Sequence, residues 1–144
     1  VDIVRTDDVA AVRALGVANG LDEGEREGKV RMGVWEARDA RGTLVGGICL
    51  ERSGDLDALD WMSVNAEYRG RGIASRLLAE AEREARARGI RRLWVTARAA
   101  GFFAANGYRP IDSGPEADYL LGECPSCEQY GHGCTPSPMM KDLD

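Results

Sequence analysis

The segment IASRLLAEAEREARAR, residues 73–88, constrains this chain more than any other. Its apolar residues Ile73, Ala74, Leu77, Leu78, Ala81 and Ala85 recur at intervals of one to four, so they share one face of an α-helix, with Glu80, Glu84 and the arginines outward. A helix with one apolar stripe must bury it against another layer. Gly89 is its natural stop, because glycine takes the left-handed conformation that closes a helix at no steric cost. The other end is less ordinary. The stretch NAEYRGRG sets Gly70 and Gly72 one residue apart at the helix entrance, directly behind the strand-like run DALDWMSV.

The flanking sequence supplies a sheet for that stripe. Residues 1–5 read as a short strand, Asp7 as the N-cap of a helix to about residue 15, and GVANGLDEGEREG as an acidic, glycine-punctuated loop or weak helix. Residues 30–37 and 43–52 read as an antiparallel hairpin across DARG, with residues 57–64 as a third strand. After the long helix come a strand at 91–96 (RRLWVT), a helix at 99–106 stopped by Gly107, and a short strand at 108–111. The order predicts an α/β fold with a mixed, mostly antiparallel sheet flanked by helices. Trp35, Trp61 and Trp94 fall on strands and read as sheet packing, with pocket lining the alternative for Trp61.

A chain of 144 residues with 44% hydrophobic composition suffices for one domain. We divide it into a core, residues 1–112, and a Cys-, Pro- and Gly-rich tail, residues 113–144, that completes the same domain. No apolar run reaches membrane-spanning length, and VDIVRTDD lacks the basic-then-apolar order of a secretory signal; these features predict a soluble cytoplasmic protein without a membrane partner. A formal charge of −5 argues against a general nucleic-acid binder, although arginines crowd residues 69–98.

The placement of RGRG between strand and helix carries the chemistry. There the backbone N–H groups around Gly70, Arg71, Gly72, Ile73 and Ala74 can converge on one anion, and the helix dipole and two guanidiniums add positive potential. By itself the motif also suits an ordinary turn with solvated arginines.

WMSVNAEYRGRGIASRLL, followed by RRLWVT and then AAGFFAANGYRPI, resembles the core of the GNAT (GCN5-related) N-acetyltransferases, whose acetyl-CoA signature is Arg/Gln-x-x-Gly-x-Gly/Ala. The resemblance runs from about residue 30 to residue 111. It implies the GNAT acyl-CoA N-acyltransferase fold, with acetyl-CoA as co-substrate: Arg69, Gly70, Arg71, Gly72, Ile73 and Ala74 would hold the pyrophosphate. Met62, Ser63 and Val64 would pair with the pantetheine arm from a splayed strand, with residues 94–96 as the opposite wall. The implied activity is acetyl transfer to the amine of a small molecule, an amino acid or related amine. A non-catalytic module of the same fold, binding acyl-CoA or a protein partner, is the alternative, and the fold admits a homodimer.

The sequence departs from the family at Phe102–Phe103, where many members carry Phe-Tyr with the Tyr as acid toward the departing thiolate. The Phe-Phe form resembles amino-acid acetyltransferases such as those making N-acetylglutamate. Thiolate leaves tolerably without an acid, the thiol pKa being about 8.5. The attacking amine must first lose a proton, for which Asp60 is the candidate base. Asp57, Glu51 and the acidic Asp22, Glu23, Glu25 and Glu27 lie nearby in sequence or in the region the family uses for its acceptor. The Val64 N–H is the candidate oxyanion donor. Cys49 lies mid-strand without a companion His, which argues against an acyl-cysteine.

The tail ECPSCEQYGHGC places Cys124, Cys127, His132 and Cys134 within eleven positions, a ligand set that suits a structural zinc or, equally, a group of free thiols. If metal binds, the tail would act as a clip pinning residues 136–143 onto the sheet as a last strand.

Overall fold

The computed structural model describes residues 1–21, 29–111, 114–121 and 137–143. The acidic residues Asp22, Glu23, Glu25 and Glu27 and the cluster Cys124, Cys127, His132 and Cys134 lie outside them.

The elements run β1 (Asp2–Arg5), α1 (Val9–Ala18), β2 (Val30–Arg38), β3 (Leu44–Ser53), β4 (Leu56–Val64), α2 (Ile73–Ala87), β5 (Arg92–Ala97), α3 (Ala100–Ala105), β6 (Arg109–Pro110), α4 (Pro115–Leu121) and β7 (Ser137–Asp142). The seven strands form one sheet in the order β1-β2-β3-β4-β5-β7-β6. Every pairing is antiparallel except β4 with β5. This is the mixed α/β fold that the order of elements predicts.

Helix α2 forms as its periodicity requires. Ile73, Leu77, Leu78, Ala81 and Ala85 are each no more than 2% exposed and pack with Ile48, Leu50, Leu59, Leu93 and Val95 from one face of the sheet. Its end is a Schellman closure: Gly89 sits at φ 77°, its N–H reaches the Arg86 carbonyl, and the Ile90 N–H reaches the Ala85 carbonyl, both at 3.0 Å. Burial of that stripe is what holds the helix, since propensity alone leaves fifteen-residue helices marginal in water.

The opposite face is covered by α1 and α4. The N-cap of α1 is Asp8 rather than Asp7: its carboxylate accepts the Ala11 N–H at 3.0 Å, while the Asp8 N–H is held by Thr6 Oγ1. The helix also outruns the expected end near residue 15, because Gly16 lets it lie against Trp61; a Cβ there would stand 3.1 Å from Trp61 Cε3. Val12, Val34, Cys49 and Trp61 form this second core. Gly47 serves the same close approach from the sheet, where a Cβ would meet Val12 Cγ1 at 2.8 Å. Gly47→Ala should therefore push α1 off the sheet and destabilise the fold by about 1–3 kcal/mol in a urea melt; an unchanged midpoint would show that α1 yields without cost.

Two elements depart from the sequence reading. Residues 115–121, part of the Cys-, Pro- and Gly-rich tail in which no helix is expected, form α4, which packs Leu120 on Ala58, Trp94 and Met140 and is anchored by Tyr119 Oη to Ser53 Oγ at 2.7 Å. The short strand expected from residue 108 begins at Arg109, because the Tyr108 side chain turns into the main core. Strand β7 enters between β5 and β6, so β6 joins the sheet only through the C-terminal strand.

Candidate active site

The site is built where β4 leaves its neighbour. β4 has nine residues but pairs with β5 only at Ala58↔Trp94 and Leu59↔Val95. From Asp60 onward the two strands diverge, which leaves a cleft between their carboxyl ends, the usual location of ligands in sheets with parallel neighbours.

A bulge sharpens the divergence. Between Gly47↔Ser63 and Cys49↔Asp60 the β4 strand carries one residue more than β3. Trp61 takes a left-handed φ of 53°, unusual for a bulky side chain. The Asp60 carboxylate stabilises this kink by accepting the Trp61 N–H at 2.8 Å, and Trp61 is only 3% exposed under α1. Packing and a charge-assisted hydrogen bond thus hold a conformation that costs about 1–2 kcal/mol.

Register then decides which backbone groups face the cleft. The Asn65 N–H bonds to the Val45 carbonyl at 2.8 Å. In an antiparallel ladder hydrogen-bonded and open pairs alternate, so Ser63 is bonded to Gly47 whereas Val64, opposite Gly46, turns its N–H and C=O away from β3. The Val64 carbonyl is taken on that side by Arg69 Nε at 3.1 Å. Met62 shares the parity of Val64, and its side chain packs on the main core. Of the three residues assigned to the pantetheine arm, Met62 and Val64 have cleft-facing backbone, while the Ser63 backbone belongs to the ladder. The Ser63 Oγ is buried and has no hydrogen-bond partner among the described residues.

At the far end of β4 lies the RGRG turn. Gly70 and Gly72 both sit at φ 78°, the left-handed region that only glycine occupies freely. Gly72 is the N-cap of α2, and the first helical bond is from the Arg76 N–H to the Gly72 carbonyl at 3.1 Å. The N–H groups of Ile73, Ala74 and Ser75 therefore have no acceptor within the helix. No described atom lies within 4 Å of where a Cβ would stand on Gly70 or Gly72. Arg71 lies over the Tyr68 ring at 4.9 Å, and the Tyr68 hydroxyl donates to Asp39 Oδ2 at 2.8 Å. The Ile73 side chain is in the core, so it offers only its backbone. The result is an open, cationic concavity suited to a phosphate.

The acidic candidates sort themselves by the face of the sheet they occupy, Asp57 on the α2 side with Leu59, and Asp60 on the α1 side. Asp57 is paired with Arg52 at 3.3 Å. Asp60 and Glu51 instead share one cation that the sequence reading missed: Lys29 Nζ stands 2.8 Å from Asp60 Oδ2 and 3.4 Å from Glu51 Oε2. Burial opposes the charge on Lys29, but the Asp60 and Glu51 carboxylates outweigh it and raise its pKa. Glu51 is 2% exposed, and burial, reinforced by the Asp60 carboxylate, pushes its pKa up to about 8 against the opposing pull of Lys29. No sequence signal marks Lys29, which stands thirty-one positions from Asp60.

Two further side chains bear on the chemistry. Burial pushes the Cys49 thiol up to about 12, assisted by Glu51 and Asp60. Phe103 is 3% exposed and stacks edge-on with Phe102 and Tyr108, at 5.2 and 5.3 Å between ring centres. The arginines of α2 and its end are occupied locally, Arg83 with Glu80 and Arg88 with Glu84, and Arg92 of β5 pairs with Asp142. Among the described residues no group of three or more His, Cys, Asp or Glu could hold a metal, and no helix is long and apolar enough to cross a membrane.

The sequence matches the acetyltransferase (GNAT) domain over residues 31–110. It has no match among curated proteins. Among solved structures, a Mycobacterium tuberculosis protein in complex with CoA and NLQ aligns with a TM-score of 0.71 at 21% identity, covering 100% of both chains. An acetyltransferase of the GNAT family from Staphylococcus aureus Mu50 aligns at 0.66 with 17% identity, covering 99% of each. N-acetylglutamate synthase from Neisseria gonorrhoeae, complexed with coenzyme A and N-acetyl-glutamate, aligns at 0.66 with 18% identity over 100% of this chain and 36% of that one. At such identities the structural likeness is one of fold. The sequence match is the independent finding, and it takes in the splayed β4, the RGRG turn and β5 over more than half of the chain. This protein belongs to the GNAT acetyltransferase domain family.

Proposed function

We propose that the chain is an acyl-CoA-dependent N-acyltransferase that moves an acetyl group to the amine of a small molecule, an amino acid or a related amine. The observation that carries this reading is the cleft opened where β4 parts from β5 after Leu59, with the RGRG cradle at its far end. The free N–H groups at the start of α2, with Arg69, Gly70, Arg71, Gly72 and Ala74 around them, suit the pyrophosphate. The cleft-facing backbone of Met62 and Val64 suits the amides of the pantetheine arm, and the Val64 N–H is the donor for the developing oxyanion. Solved neighbours holding CoA together with NLQ or N-acetyl-glutamate favour an amino-acid acceptor.

Transfer proceeds by direct attack. The ammonium of the acceptor gives a proton to the Asp60 carboxylate, the free amine attacks the thioester carbonyl carbon, the C–S bond breaks, and the thiolate takes the second proton that the nitrogen sheds. Cys49 offers no competing route, because a buried thiol with a pKa near 12 holds almost no thiolate at neutral pH. Phe103 supplies no proton, so the thiolate leaves without a protein acid. Thiol release from acetyl-CoA over a panel of amino acids and polyamines tests the reading; no release with any amine, in a protein that still binds CoA, would favour the non-catalytic module. Mass spectrometry after incubation with acetyl-CoA alone should show no acetyl group on Cys49, and a stable acetyl-enzyme would overturn direct attack.

A further inference from the structure

Asp60 and Glu51 stand on adjacent strands and on the same face of the sheet. Asp60 lies opposite Cys49, two residues before Glu51, so the two carboxyls are diagonal neighbours on the α1 face. Their exposures differ sharply: the Asp60 side chain is 35% exposed at the first position where β4 leaves β5, whereas that of Glu51 is 3% exposed behind it. Lys29, 10% exposed, reaches both. With Glu51 buried and one ammonium shared between two carboxylates, the three groups cannot all be charged cheaply, because an uncompensated buried charge is strongly disfavoured. One carboxyl must be the easier to protonate.

We propose, building on the transferase reading, that Glu51 and Asp60 are a proton-sharing pair in which Asp60 meets the acceptor ammonium and Glu51 stores its proton, and that Lys29 is the positioning residue that assigns these roles. The Asp60 carboxylate accepts from two donors, Lys29 Nζ and the Trp61 N–H, each at 2.8 Å. Glu51 has weaker support. Its buried Oε2 has the longer ionic contact to Lys29 Nζ at 3.4 Å and makes no hydrogen bond among the described residues, and when protonated it can donate to Asp60. The proton passes from the acceptor nitrogen to Asp60 and on to Glu51, the N–H bond breaking as the carboxyl O–H forms, and it returns to solvent after the amide product leaves. No oxidant or further reactant is needed.

Among the described residues the groups facing this pair are few. Arg31 stands directly across from Glu51 on β2, Cys49 precedes it on β3, Ala58 and Asp60 face it from β4, and Arg13 of α1 lies over the Trp61 ring. Beyond Ser53 the nearest ionisable group of α4 is Tyr119, bound to the Ser53 hydroxyl. Lys29 is the cation in contact with both carboxylates.

The test follows the Glu51 carboxyl by carbon NMR in protein labelled with [δ-13C]glutamate, its signal identified by its loss in Glu51→Gln. Glu51 should titrate near 8 in the wild type. It should titrate about one pH unit higher in Lys29→Met, revert in Lys29→Arg, and fall by a similar amount in Asp60→Asn, which removes the neighbouring negative charge. The acid limb of kcat/KM for acetyl-CoA with the best amine of the panel should move in the same directions for the two lysine variants and vanish in Glu51→Gln. A Glu51 titrating in the ordinary carboxylate range, or one unmoved by the substitutions, would sink the pair. So would a wild-type pH profile in Glu51→Gln. If Lys29→Met does not fold, Asp60→Asn carries the titration with the opposite expected sign. Absence of turnover with every amine, beside the expected titration, would count against transfer rather than against the pair.

Discussion

Gly72→Glu should weaken CoA binding by at least about a hundredfold, roughly 3 kcal/mol, with an unchanged circular-dichroism spectrum. Three effects act together at this position. Gly72 sits at φ 78°, so any side chain there strains the turn by about 1–2 kcal/mol. The new side chain grows into the open space before the Ile73, Ala74 and Ser75 amides, and its charge opposes that of a pyrophosphate. The fold should survive, because a Cβ at position 72 meets no described atom within 4 Å. Gly72→Ala separates the contributions: it keeps the strain and omits the charge, so it should lose less affinity. Isothermal titration with CoA reads both variants, and full affinity in Gly72→Glu would remove the cradle from the argument.

The second large effect lies at the far side of α2, where no ligand is involved. Glu82 is 7% exposed, whereas the other acidic residues of the helix, Glu80 and Glu84, are only partly buried and paired with arginines at the surface. Its carboxylate accepts the Tyr108 hydroxyl at 2.8 Å and two bonds from Lys141 Nζ at 3.1 and 3.2 Å, with Arg86 more distant at 3.9 Å. Burial and the adjacent Glu82 charge raise the Tyr108 pKa, which keeps that hydroxyl a donor. The cluster ties the C-terminal strand to α2 across the core. Lys141→Met removes the principal cation and leaves a buried carboxylate undercompensated, so it should cost about 2–4 kcal/mol in urea denaturation. Adding Glu82→Gln should restore much of the loss, since a neutral amide can still pair with Tyr108. Equal stability of Lys141→Met and wild type would mean that water or Arg86 replaces the lysine at no cost.

Local signals sufficed for most of the architecture. The apolar period of α2, its Gly89 stop, and the turn chemistry between β2 and β3 each depend on residues close in sequence: Asp39 Oδ1 accepts the Arg41 and Thr43 N–H groups, and Gly42 takes φ 80°. The RGRG cradle was legible for the same reason, as strand, glycines and helix are contiguous. Helix α4 was not, because seven residues with two buried positions carry no periodic signal and its stability comes from Trp94, Ala58 and Met140 elsewhere in the chain.

The sequence by itself determined where glycines open a helix in the left-handed conformation and which faces had to be buried, since both follow from periods of a few residues and from the freedom of glycine. Only the tertiary structure decided how the carboxylates differ. Asp60 and Glu51 are equivalent acids in the sequence; they become different through a bulge at Trp61, a strand that departs after Leu59, and a lysine brought from before β2. Burial and charge pairing are long-range quantities, and no local pattern encodes them.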